Sequence, residues 1–156
     1  MSIRRVLVAG IVASLIMAMI EMIYEVLTRD GFWSPAVYIG ATVLRGLQSA
    51  RIPVAFDFWG VVLGLMGHMM NSVILGLIFT WIFARSGRSR GGLVISGAIY
   101  SLIVFFVMWY AVAPIVDPVI LNLNGTVFAV AHIMWGAALG LLVPRSAEGE
   151  LRVKTA

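Results

Sequence analysis

The chain has 156 residues, of which 62% are hydrophobic and only 12% are charged, and its mean hydropathy is +1.03. Soluble domains average about 25% charged residues, so this composition excludes an ordinary soluble fold and indicates one membrane domain over residues 1–156. The absence of cysteine excludes disulfides, thiolate nucleophiles and cysteine-ligated metal centres. The net charge of +4 does not indicate nucleic acid as a partner, because the basic residues flank apolar segments.

Four apolar segments follow one another along the chain, at about 6–27, 58–83, 92–113 and 123–143. Each is long enough to cross a hydrocarbon layer of about 30 Å at 1.5 Å per helical residue. Backbone polar groups in lipid must be satisfied within the segment, which requires a helix. The predicted fold class is therefore all-α, a polytopic membrane protein with four transmembrane helices in a bundle.

The long loop after the first segment carries a further helical pattern at about 35–50. Ser34 and Pro35 are typical of a helix start, and Pro53 closes the stretch. Apolar residues such as Val37 and Leu44 recur between them at roughly helical spacing. The pattern predicts an amphipathic helix that lies on the outer membrane surface or caps the bundle.

The basic residues predict the orientation of the helices. Eight of the eleven fall on one side of the four segments, at the two termini and in the turn near 84–91. Basic loops stay in the cytoplasm, so both termini are predicted to be cytoplasmic. The expected location is the inner membrane of a bacterium, with the lipid bilayer as the first partner.

A weak two-fold internal repeat relates the second and fourth segments. Each has a histidine, at His68 or His132, followed by Met two residues later, a small residue four later and Leu-Gly-Leu at seven to nine. The first and third segments correspond only weakly. Both halves would start on the same side of the membrane, which is typical of a parallel repeat about an axis along the membrane normal.

These features together resemble the uncharacterised bacterial four-helix inner-membrane proteins of the YagU-like type. The resemblance rests on a first segment that carries Glu21 near its outer end and on His68 and His132 among small residues in the second and fourth. It implies the four-helix layout and draws attention to the two histidines. It implies no biochemical activity.

The two histidines are the main candidates for a site. They lie among small residues spaced by four, which let helices approach closely, and each is about 15 Å deep. One interpretation is that they hydrogen-bond across helices and fix the packing. The other is that two imidazoles at one depth hold haem or a metal ion, so the metal stays unknown. The residues predicted to pack helices are Gly60, Gly64, Ser72, Gly76, Gly136 and Gly140.

Glu21 is the third candidate, because an ionisable residue within a membrane span indicates function by default. Structural pairing with His68, Arg45 or Arg51 is one interpretation, and proton-coupled transport is the other. Asp117, between two prolines in a short outer loop, is interpreted as part of a turn.

The sequence therefore predicts a non-enzymatic membrane protein of structural or accessory role without a required cofactor. No nucleophile–base pair, P-loop, dinucleotide fingerprint or HExxH motif is present. A small proton-linked transporter using Glu21 and the midplane histidines is one alternative. A haem- or metal-binding membrane subunit is another. The chain is expected to lie in the lipid bilayer as a homo-oligomer or as a subunit of a larger membrane complex.

Overall fold

The computed structural model describes residues 3–28, 31–83 and 86–144, and within these ranges it contains helices and no strand. Two short 3-10 turns, Arg45–Ser49 and Pro118–Asn122, lie in the loops. The main elements are the helices α1 (Ile3–Thr28), α2 (Ser34–Gly40), α3 (Phe58–Phe83), α4 (Arg90–Val116) and α5 (Gly125–Leu142).

Four of these helices, α1, α3, α4 and α5, are long and apolar enough to cross a membrane. The all-helical class and the four candidate spans are therefore confirmed. The second predicted segment matches α3 at both ends, and the other three agree with their helices to within about three residues. The largest differences are three residues, at the start of α1, which begins at Ile3 instead of residue 6, and at the end of α4, which runs to Val116 instead of residue 113.

Side-chain caps explain where three of the long helices begin. The Asp57 carboxylate accepts a hydrogen bond from the backbone N–H of Gly60 at 2.6 Å, at the start of α3. Ser89 Oγ accepts from the N–H of Gly92 at 3.1 Å, at the start of α4. Asn124 accepts from two N–H groups at the start of α5. Each cap satisfies donors that have no partner within the helix.

The long helices pack in antiparallel pairs through small residues. In the first pair, Gly76 of α3 lies against Gly10 of α1. In the second, a Cβ added at Gly136 of α5 would overlap the carbonyl of Gly97 on α4, and one at Gly140 would overlap the carbonyl of Leu93. Such contacts need residues without side chains at the crossing point. The internal repeat itself stays a prediction.

The loop helix α2 is shorter and more buried than the pattern at 35–50 predicts. It ends at Gly40, and a 3-10 turn replaces its predicted second half. A Cβ at Gly40 would overlap the carbonyl of Gly60, and one at Gly64 would overlap the carbonyl of Ala36, so α2 lies directly on α3. Gly60 and Gly64 are therefore packing residues, but their partner is this short helix and not another membrane span.

Helices α3 and α4 contact each other at only one level. The Tyr100 hydroxyl of α4 donates to the carbonyl of Leu75 on α3 at 3.0 Å, and its ring lies 5.5 Å from that of Phe79. Nearer to α2, α4 contains a π-helical turn, Met108–Val112, just before Pro114. Proline lacks the N–H that would continue the α-helical ladder, which explains a π turn at this place.

Candidate functional site

A cavity of about 340 Å³ lies between α3 and α4, in the half of the protein nearer to α2. Its volume falls in the range typical of small-molecule sites, about 300–1,000 Å³. Most of its wall is apolar, and Met108 and Val112 of the π turn belong to that wall. The polar side chains on the wall are Thr42, His68, Asn71, Ser72, Asp117 and His132.

His68 reaches across from α3 to α1. Its Nε2 lies 3.1 Å from the carbonyl oxygen of Ser14, and because a carbonyl only accepts, this nitrogen carries the proton. In the neutral ring the other nitrogen, Nδ1, then presents a lone pair. No described residue donates a hydrogen bond to it.

His132 is fixed in a similar way on α5. Its Nδ1 donates to the carbonyl of Phe128 one turn earlier, at 2.8 Å, and the side chain is only 5% exposed. The unprotonated nitrogen of the neutral ring is therefore Nε2, which also has no donor among the described residues. Both histidines lie on the wall of the same cavity. Their part in a function stays a prediction.

A hydrogen-bonded chain lies at the end of the cavity away from α2. Trp135 Nε1 donates to Ser72 Oγ at 2.6 Å, and Ser72 Oγ donates to the carbonyl of Gly10 at 2.7 Å. The chain joins α5, α3 and α1 one turn beyond the histidines. Ser72 is therefore more than a small packing residue, because its hydroxyl is the link between three helices.

Asn71 is the amide side chain of the cavity wall and belongs to α3. Its side chain is exposed, lines the cavity and has no hydrogen bond to any described residue. Lipid offers no hydrogen-bond partner to an amide, so this side chain lacks a partner if α3 crosses a bilayer. Its position next to the cavity means that a bound molecule could supply the missing partner.

Asp117 is the site residue that sequence analysis missed. Its carboxylate accepts hydrogen bonds from the Thr42 hydroxyl at 2.7 Å and from the Gln48 side-chain amide. The residue is 5% exposed and lines the cavity at the α2 end. The flanking prolines indicated a turn, and no sequence spacing connects residue 117 with 42 and 48.

Glu21 lies apart from the histidines. It is 2% exposed in α1, and neither carboxyl oxygen has a hydrogen-bond partner among the described residues. It is not part of the cavity wall, and none of the predicted partners contacts it. His68 is bonded to Ser14 instead, and Arg45 donates to the carbonyl of Val116 at 2.7 Å. The structure therefore does not bring the three candidate residues together.

The side chains on the cavity wall that could hold a metal are two imidazoles, three thioethers and the Asp117 carboxylate. Met17, Met70 and Met108 line the cavity with the histidines, and such soft ligands suit Cu(I). Within residues 3–28, 31–83 and 86–144, no group of three or more His, Asp or Glu side chains is arranged around a common point that could hold a metal ion. The cavity is also much larger than a single ion requires.

The chain was compared with protein-family models, curated proteins and solved structures. No family model, curated protein or solved structure matches it.

Proposed function

We propose that the protein is a non-enzymatic accessory protein of the membrane that binds a small, mainly apolar molecule. The observation that supports this function is the cavity of about 340 Å³, with its apolar wall and few polar side chains. Sites for small molecules typically combine such a wall with a small number of placed polar groups. For comparison, an apolar cavity of about 150 Å³ is sufficient to bind benzene.

The ligand reaches the cavity sideways, from within the bilayer. The basis for this route is that two wall residues of α3, Met70 and Asn71, are exposed. The contact between α3 and α4 at Tyr100 and Leu75 lies at the end of the cavity away from α2. A molecule dissolved in the membrane can therefore pass between the two helices without crossing an aqueous phase.

The cellular location and the membrane orientation that we propose are those that the sequence predicts. We infer a bacterial inner membrane, cytoplasmic termini and an α2 end that faces outward, on the basis of the eight-to-three distribution of basic residues. The resemblance to the YagU-like type stays a prediction. So does assembly into a homo-oligomer or a larger membrane complex.

A cavity-filling substitution tests the proposal. Gly67 lines the cavity, and a Cβ added there meets only Ile39 Cγ2, at 3.9 Å. Gly67→Leu should therefore fill the cavity without disturbing helix packing. The matched control is Gly91→Leu, because Gly91 of α4 has open space around it and does not line the cavity.

Naphthalene is a suitable neutral probe. Its dissociation constant is measured by titration for the wild type and both variants in one detergent, so that partition into micelles cancels. We expect Gly67→Leu to weaken binding by about tenfold or more, the effect of losing about 1.4 kcal/mol. Gly91→Leu should bind as the wild type does. Equal affinity in all three proteins would contradict the proposal.

Proton-linked transport is a second candidate function, favoured by Glu21. A buried carboxyl group without a hydrogen-bond partner among the described residues is a natural place to exchange a proton. Flux of a substrate driven by a proton gradient should then be abolished by Glu21→Gln while the protein remains folded. Unchanged flux would exclude a role for this carboxyl group.

A haem- or metal-binding subunit is the remaining alternative. The two histidines on one cavity wall are the observation in its favour. The absorption spectrum of protein purified from haem-replete cells would show a Soret band if haem is bound. Metal analysis of the same sample tests for copper and other ions.

A further inference from the structure

We propose that the ligand of this cavity is an apolar organic cation, whose ammonium or similar group is bound at the α2 end by Asp117. This inference rests on the proposed function and adds the chemical class of the ligand. It follows from three properties of the cavity wall: a buried carboxylate, polar atoms that accept hydrogen bonds, and aromatic side chains.

The buried carboxylate is the first property. Asp117 is 5% exposed, and its two hydrogen-bond donors, Thr42 and Gln48, are both neutral. No basic group among the described residues forms an ion pair with it. A carboxylate withdrawn from water is costly unless a cation is paired with it. A cationic ligand in the cavity would supply that pairing.

Arg45 is the cationic side chain closest to this region. Its guanidinium donates to the carbonyl of Val116, the residue before Asp117, and the side chain is exposed. It does not line the cavity. Its guanidinium is hydrogen-bonded to a backbone carbonyl and forms no ion pair with the Asp117 carboxylate, so a cationic ligand can pair with this carboxylate from the cavity side.

The hydrogen-bonding character of the wall is the second property. His68 and His132 each use their ring N–H on a backbone carbonyl, so each neutral ring offers only a lone pair. Ser72 already donates to Gly10 and accepts from Trp135. Among the polar side chains of the wall, only Asn71 has a free donor. A ligand that donates hydrogen bonds therefore fits this wall better than one that accepts them.

The aromatic side chains are the third property. Phe128 and Trp135 line the cavity on either side of His132 along α5, and the Phe128 and His132 rings are 4.5 Å apart. Aromatic faces attract organic cations and pack well against flat apolar groups. The combined wall is complementary to an amine with an aromatic or other bulky apolar body.

The test compares two molecules of one shape. Naphthylethylamine is a cation that donates hydrogen bonds, and naphthylethanol is its neutral analogue. Their dissociation constants are measured for the wild type by titration in one detergent, with naphthalene as reference. We expect the amine to bind at least about tenfold more tightly than the alcohol, because hydrogen bonds to charged groups are the stronger kind. Equal binding of the two would overturn the inference.

Asp117→Asn then tests the residue. This variant removes the charge and keeps the shape, so the preference for the amine over the alcohol should fall to within about twofold. Asp57→Asn is the matched control, since Asp57 caps α3 near the same end and does not line the cavity. It should keep the full preference. An amine preference that survives in Asp117→Asn would also overturn the inference.

The two proposals fail in different ways. If naphthalene binds equally to the wild type and to Gly67→Leu, the cavity is not the binding site and the proposed function is wrong. If Gly67→Leu weakens naphthalene binding and the amine shows no advantage, the cavity binds apolar molecules and the assignment of a cation is wrong.

Discussion

Trp135 of α5 donates its indole N–H to the hydroxyl of Ser72 on α3, with 2.6 Å between nitrogen and oxygen. The same hydroxyl donates to the carbonyl of Gly10 on α1. The Ser72 hydroxyl thus accepts a hydrogen bond from the indole of α5 and connects α5 and α3 to α1. In an apolar interior this hydroxyl has no water to compete with, so it defines how the three helices meet.

The first prediction concerns that hydroxyl. Ser72→Ala leaves the buried indole N–H without its acceptor, so we expect a loss of about 1–2 kcal/mol in the free energy of unfolding. Ser96→Ala is the control, because Ser96 Oγ donates only to the carbonyl of Gly92 on its own helix, at 2.8 Å. The free energies of unfolding of both variants are measured in mixed micelles. Equal losses would show that the link between helices contributes nothing.

The helices themselves could be predicted because lipid imposes one solution on a long apolar segment. The match of 58–83 with α3 follows from length and hydropathy alone. The helix that each packing residue contacts could not be predicted. Small residues spaced by four show that one face of a helix can approach another helix closely, but they do not show which helix packs there. Gly64 contacts α2, whereas Gly136 contacts α4, although both belong to the same kind of pattern.

The second prediction concerns two glycines, one in α5 and one in α3, that differ in what surrounds them. A Cβ at Gly136 would overlap the carbonyl of Gly97 and the side chain of Ser101, whereas one at Gly67 meets only Ile39. Gly136→Ala should therefore separate α4 from α5 and lower the free energy of unfolding by about 1–3 kcal/mol. Gly67→Ala should be neutral or stabilising, since alanine favours helix by up to about 1 kcal/mol. Thermal unfolding of both variants distinguishes them, and equal losses would contradict the close contact.

The third prediction concerns the loop that Asp117 holds. Asp117→Ala removes the acceptor of Thr42 and Gln48, so the backbone over 42–49 should exchange its amide hydrogens faster. Hydrogen exchange with mass spectrometry measures this change peptide by peptide. Asp57→Ala should instead affect the start of α3, where Asp57 accepts from Gly60. Unchanged exchange over 42–49 in Asp117→Ala would mean that other contacts hold the loop.

The loop over residues 41–49 is a part of the fold that the sequence did not predict. The alternation of apolar and polar residues over 35–50 fits a continuous helix, yet the chain turns at 41–43 and continues as a 3-10 turn. Two contacts distant in sequence explain the turn: Gly40 lies against Gly60, and Asp117 binds Thr42 and Gln48. A local pattern contains no information about contacts of this kind.

The fourth prediction concerns topology. Reporter fusions after Arg90 and after Arg152 should both be cytoplasmic, and a fusion within 36–50 should be external. The reason is the excess of basic residues on the side of the termini. Arg90 also donates to three carbonyls at the end of α5, including that of Val143 at 2.8 Å, which anchors α4 to α5 at this side. A cytoplasmic signal from 36–50 would reverse the orientation.

The last prediction concerns Glu21, whose two carboxyl oxygens are buried and have no hydrogen-bond partner among the described residues. A buried polar group without partners costs about 1–3 kcal/mol, and an apolar side chain of similar size avoids that cost. Glu21→Leu should therefore raise the free energy of unfolding, measured in mixed micelles. Met22→Leu is the control, because Met22 is also buried in α1 and the exchange conserves volume. It should change stability by less than about 1.5 kcal/mol.

A stabilised Glu21→Leu protein would mean that the chain retains this carboxyl group at the expense of its own stability, as expected for a group kept for function. A destabilised one would contradict the prediction.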